Sequence, residues 1–434
     1  MVSKLKNNVN MIINKDNFFV LYLFLIIFAP PFFPKINAVI IASFFSLLYM
    51  LLKFKKDLID ILRNKIIRTF LLFYLFFLLY LLYTLLINFY SIKEVVLVSY
   101  RFLLLCPIYF ICVIFIAIFA KNNNYSIDDI IKAICKAGIM QLGITLMCLS
   151  FPTFKKTLTE FQYFITGNQL LIKDGAIQNR FNGFSESLLD SFGFGTGIIA
   201  SLPLYLSYRK NNSKYFILSF LLLVVPFFNA RSGLVIYFVL FLFSILSIFK
   251  LKKIDKMKYI KMYTITLVVF IISFFIFYLV KPDYVNSMIK DFKSIIDYFL
   301  YGTLNQPGLN TAANLFSQRF WIIPNKLNEI VFGTGHTVFG NNFYIQSDVG
   351  YINDIWLCGI FGMVILYGSF TYLFVKSMYV CKKSIYKYLI IGMFFSLIIF
   401  QIKGRAFMYS VGTAVMLIIL ICIVYIEKDK LIIE

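Results

Sequence analysis

Twelve stretches of about twenty apolar residues follow one another along the chain, and each is long enough to cross a lipid bilayer as a helix. A hydrocarbon core ~30 Å thick takes ~20 residues of helix at ~1.5 Å rise. The stretches fall at 18–34, 36–52, 66–88, 95–119, 130–151, 187–208, 214–229, 232–249, 260–280, 352–376, 385–402 and 406–426. The segment 214–229 is short, contains Pro226 near its end, and reads as one of a pair with 232–249. Hydrophobic residues make up 61% of the 434, against ~45–50% in soluble domains. The expected fold is therefore all-α: a single polytopic integral membrane domain over 1–434 with about twelve transmembrane helices. The basic start, Met1 to Asn17, leads into apolar Phe18 to Phe33 without a small-residue cleavage site. That reads as an uncleaved first helix rather than a signal peptide.

The formal net charge of +22 would suggest nucleic acid in a soluble chain. Here the excess sits in short loops, where Lys and Arg set orientation. Counted on alternate sides of the twelve segments, 27 of the 42 Lys and Arg fall on one side. The other side holds 15, although it carries both long loops, at about 152–186 and 281–351. The bias places both termini in the cytoplasm and both long loops outside. The seven cysteines all lie in or beside apolar segments, so neither a disulfide framework nor a metal site is expected. No repeat period runs along the chain, which weighs against a transporter built from internal repeats.

The one long polar segment, Lys281 to Tyr351, is where chemistry is most expected, and the rest reads as its scaffold. The outer face gathers cations in four places: Arg180, Arg231 in Asn229-Ala-Arg-Ser-Gly, Arg319, and Lys403 with Arg405. A charge flanked by hydrocarbon is expensive, so Arg231 should face a polar cavity or an anion, or else snorkel to headgroups. Arg presents a planar fork that fits phosphate oxygens. Carboxylates on that side are few. Glu186 and Asp190 share one helix face, and Asp348 and Asp354 close the long loop. Each is a candidate general base for a hydroxyl, or else a helix cap or the partner of a nearby Arg. Asp354 favours the second role, near a helix start. His336 is the only histidine; it is a candidate base, and alone it makes no metal site. Gly193 and Gly197 lie within an apolar segment at a spacing that suits close helix packing rather than phosphate binding.

At these residues the chain resembles the O-antigen polymerase family (Wzy), which is related to the O-antigen ligases. The resemblance covers the whole architecture and is sharpest at Phe332-Gly-Thr-Gly, Ser347-Asp-Val-Gly-Tyr-Ile and Gly359-Ile-Phe-Gly, in that order. Asn229-Ala-Arg-Ser-Gly is similar to the family's Ser-Arg turn with those two residues exchanged. Arg319 and Gly335 fit an Arg-x15-Gly pattern described for such polymerases; after Arg180 the corresponding position is Thr196, with Gly195 one residue early. Ligases carry His where this chain has Asp348, which favours polymerase.

The resemblance implies a glycosyltransferase of the bacterial inner membrane, active on the periplasmic side in lipopolysaccharide biosynthesis. Its substrate would be an oligosaccharide repeat unit on undecaprenyl pyrophosphate, with a chain-length regulator as a further partner, surrounding membrane lipids and no nucleic acid. Arg180, Arg231, Arg319 and Arg405 would neutralise the departing pyrophosphate. Asp348, or failing it Glu186 or His336, would take the acceptor's proton. No cofactor or metal would be required. The alternatives are an O-antigen ligase and a flippase for the same lipid-linked sugars.

Overall fold

The computed structural model describes residues 14–33, 36–88, 102, 108–166, 181, 183, 185, 189–249, 256–265, 321–335, 347, 349–382, 384–408 and 410–427, and single positions at 268, 275, 278, 286 and 293. Nearly all of this is helix. Helix α1 (Lys15–Phe28) stops at Ala29, which turns left-handed before Pro30 and Pro31. A two-stranded hairpin follows, β1 (Pro31–Phe33) against β2 (Ile36–Asn37), a small departure from the all-α expectation. Asn37 then caps α2 (Ala38–Lys53) by accepting from the Ile40 N–H.

The chain continues through α3 (Lys55–Arg63), α4 (Lys65–Ile87), α5 (Phe110–Asn122), α6 (Ile127–Ser150), α7 (Pro152–Thr166), α8 (Leu189–Lys210), α9 (Ser213–Asn229) and α10 (Arg231–Ile248). After a helical run at 256–265 come α11 (Leu327–Phe332), α12 (Gly350–Val380), α13 (Tyr386–Lys403) and α14 (Val411–Cys422), whose last turns widen into a π-helix (Ile423–Glu427). The helices coincide with the apolar segments to within a few residues. The exceptions are 95–109 and most of 260–280, which lie largely outside the described residues. Among the described residues, α4, α6, α12 and α13 are long and apolar enough to cross a membrane alone. A fifth span results if α2 and α3, bent by 105°, count as one. Helices α5, α9, α10 and α14 are apolar but shorter.

The centre of the bundle is α8. Every side chain from Phe192 to Tyr208 is buried, as in a helix surrounded by others on all sides. It packs against α6, α9, α10, α13 and α14. Small residues let the backbones touch. A methyl group on Gly193 would sit 2.5 Å from the Ala230 Cβ, and one on Gly233 would sit 2.5 Å from the Gly193 carbonyl oxygen. The Gly193 and Gly197 pair is thus a helix-packing surface, as its spacing suggests. Three helices occupy stretches that the sequence reads as loops: α3 within 53–68, α7 within 152–186 and α11 within 281–351.

Candidate functional site

The long polar segment returns to the bundle at a break in a helix. Gly359 interrupts α12 with φ 62° and ψ −178°, splitting it into a half-helix, Gly350 to Cys358, and a long remainder. A positive φ of this kind suits glycine alone. The break strips the carbonyls of Trp356, Leu357 and Cys358 of their helical donors. The Gly333-Thr334-Gly335 turn supplies replacements. Thr334 donates to the Trp356 carbonyl from its backbone N–H at 2.7 Å and from its hydroxyl at 2.8 Å. The Gly335 N–H donates to Leu357 at 3.1 Å. From α4, the Tyr80 hydroxyl reaches both the Cys358 carbonyl, at 3.2 Å, and the Phe332 carbonyl, at 2.7 Å. A methyl on Gly333 would lie 2.6 Å from the Gly359 nitrogen, so neither glycine tolerates a side chain. Two separated pieces of the sequence motif therefore meet as one backbone lock.

The half-helix carries a buried ion pair. The Asp354 side chain is 3% exposed and that of Arg405 9%. Arg405 donates from Nε to Oδ1 at 3.0 Å and holds Nη2 at 2.9 Å from the same oxygen. Oδ2 accepts from the Tyr367 hydroxyl at 2.9 Å and from Gln401 Nε2 at 2.6 Å. Gln401 Oε1 accepts the Ala406 N–H at 2.6 Å, tying the turn after α13 into the same network. The guanidinium also lies over the Phe102 ring, 5.2 Å from its centroid. Burying charge demands this degree of pairing. Three hydrogen bonds and the adjacent guanidinium charge engage both carboxylate oxygens, so Asp354 is the partner of an Arg and not a free base. Nη2 is buried with no aligned acceptor, and Asn353 Oδ1, one residue before the carboxylate, is buried with no donor. Asp354 is the fifth residue of α12, two residues deeper than a helix starting at 352 would place it.

A second stretch is pinned into the same bundle. The Phe181 N–H donates to Asn229 Oδ1 at 2.8 Å, at the end of α9. The Phe181 carbonyl accepts from the Thr145 hydroxyl of α6 at 3.5 Å. The buried Gly183, at φ 63°, presents its carbonyl to Gln162 Nε2 of α7 at 2.6 Å. Phe181 follows Arg180 in sequence, and Asn229 stands two residues before Arg231.

Contacts place these turns at one end of the molecule. Ala230, the single residue between α9 and α10, packs on Gly193 in the first turns of α8. Gly195 packs on Val411 and Gly412 at the start of α14, and Gly350 packs on Gly404 and Gln401. The turns bearing Arg231 and Arg405 thus share an end with the start of the half-helix. Of the sequence candidates, Arg405 is described in full and Arg231 in its backbone only, as the first residue of α10. Arg180, Glu186, Arg319, His336 and Asp348 lie outside the described residues. Sequence reasoning gave no role to Tyr80, Tyr367, Gln401, Asn229 or Gln162. A polar side chain inside an apolar segment is the signal that marks Gln401 and Tyr367. No group of three or more His, Cys, Asp or Glu that could hold a metal occurs among the described residues.

No family model matches this sequence, and no curated protein matches it.

Proposed function

We propose that this protein is an O-antigen polymerase, a membrane glycosyltransferase that joins undecaprenyl-pyrophosphate-linked oligosaccharide units into polysaccharide. The observation that carries the reading is the lock at Gly359. Residues far apart in the chain that resemble the polymerase signature also meet in space, beside a buried Arg. In the proposed arrangement twelve helices cross the inner membrane with both termini cytoplasmic and loops 152–186 and 281–351 periplasmic. The Arg405 end then faces the periplasm.

In the proposed reaction an acceptor hydroxyl oxygen attacks the anomeric carbon of the growing chain. The bond from that carbon to the pyrophosphate oxygen breaks, and the pyrophosphate leaves with the electron pair on its lipid. Arg180, Arg231 and Arg319 neutralise that charge. Arg405 is held by Asp354, so it contributes only the free donor on Nη2. The hydroxyl proton passes to Asp348, with Glu186 and His336 as the other candidates. The test is lipopolysaccharide gel analysis of a deletion strain and of the strain carrying Arg319→Ala or Asp348→Asn. A lost ladder with one repeat unit kept on the core supports the polymerase. Loss of every repeat identifies a ligase or a flippase instead.

A further inference from the structure

We propose that α3 (Lys55–Arg63) is an interfacial helix that binds the surface of an anionic phospholipid membrane. The inference is independent of the polymerase reading. It begins from the 105° bend between α2 and α3. An apolar helix of 16 residues is followed, after Phe54 alone, by a helix of 9 lying across its axis. One face of α3 is committed to the protein. Ile61 is fully buried, and Asp57 accepts from Asn122 Nδ2 at the end of α5 at 3.0 Å.

The opposite face has no partner among the described residues. At ~100° per residue, Leu62, Lys55, Ile59, Arg63 and Lys56 fall within an arc of about 120°. All five are exposed, Ile59 by 40% and Leu62 by 39%. An arc that alternates aliphatic and cationic side chains does not suit water, because it leaves the aliphatics wet. It does not suit a hydrocarbon core either, because it would strand three cations. A headgroup layer accepts both: the aliphatics enter the acyl boundary and the cations reach phosphate oxygens. Lys53, Lys65 and Arg68 extend the positive charge on either side of α3, and all three are exposed. Charge complementarity therefore selects an anionic lipid over a zwitterionic one.

The test uses the full-length protein, purified in mild detergent and incubated with equal amounts of phosphatidylglycerol and phosphatidylcholine of matched chains. Native mass spectrometry counts the lipid retained. Wild type is expected to prefer phosphatidylglycerol, and the preference should fall as ionic strength rises. The triple variant Lys55→Gln, Lys56→Gln, Arg63→Gln should lose roughly 10²-fold of the preference, at about fivefold per cation. A control triple, Lys214→Gln, Lys256→Gln, Lys261→Gln, should keep most of it. An unchanged preference in the α3 variant, or an equal loss in both triples, overturns the proposal. If the α3 variant does not fold, a wild-type preference that ignores salt overturns it just as well.

Discussion

Asp354 and Asp128 are two buried carboxylates held by the two ends of one helix. Gln401 near the end of α13 binds the first and Tyr386 at its start binds the second, about 22 Å apart along the axis. Asp354 is sealed. Its side chain is 3% exposed, its cation is 9% exposed, and all its donors come from side chains packed inside the bundle. Asp128 is open at the rim. It accepts from the Tyr386 hydroxyl and Lys210 Nζ, both at 2.6 Å, and has Arg209 Nε at 3.9 Å. Those cations are 41% and 58% exposed, so water and ions compete for them. The same chemical pairing thus fixes geometry at one end and only tethers helices at the other.

The comparison is tested most severely by Asp354→Ala. It leaves the Arg405 guanidinium buried and unpaired, which costs roughly 3–5 kcal/mol. The thermal midpoint of the purified protein in one detergent should fall accordingly. Removing the partner as well, in Asp354→Ala with Arg405→Leu, should restore a large part of that loss. A double variant no better than the single one would mean that packing, not charge, holds this end.

Next in size is Gly359→Ala, aimed at the lock beside the sealed pair. The added methyl meets the Gly333 nitrogen and the Val331 carbonyl, and φ 62° is unfavourable for alanine. Strain of ~1–2 kcal/mol and overpacking of ~1–3 kcal/mol together predict a loss of about 2–5 kcal/mol. Cys358, 1% exposed in the wild type, should become reactive to maleimide as the lock opens. Tyr80→Phe should act in the same direction by about 1–2 kcal/mol, since two carbonyls lose a shared donor. Labelling at Cys358 that stays slow in both variants would show that the lock does not depend on these contacts.

These two ends also show what a sequence can reveal. The apolar runs and the glycine spacing of α8 are local patterns, and the helices and their close packing follow from them. In the sequence Asp354 reads as a base, a helix cap or the partner of an Arg. The Arg405 contacts on Oδ1 make it the partner, from 51 residues away, and Tyr367 and Gln401, 13 and 47 residues away, fill Oδ2. The break at Gly359 was not legible. The segment 352–376 reads as one unbroken helix, and the donors that satisfy the broken turn come from the distant 334, 335 and Tyr80. The Asp128 to Tyr386 bond, 258 residues apart, has no sequence signal at all. The helices α3, α7 and α11 escape for a different reason: their polar surroundings mark them as loops, and an apolar-run criterion does not register a short helix.

The smallest effect is expected at the open end, from Asp128→Asn. The amide keeps the shape and an oxygen that accepts from Tyr386, so only the ionic part is lost. An ion pair with half-exposed cations contributes ~0–1 kcal/mol, and salt reduces it further. The midpoint should therefore shift by ~1 kcal/mol or less at low salt, and the difference from wild type should shrink toward zero as salt is raised. Asp354→Asn, measured beside it, should lose more and ignore salt, because its pair is shielded from ions by the bundle. The informative result would be a salt-independent loss of several kcal/mol in Asp128→Asn. Asp128 would then be as sealed in solution as Asp354. The contrast between the two ends would reduce to the lock at Gly359, which has no counterpart beside Asp128 among the described residues.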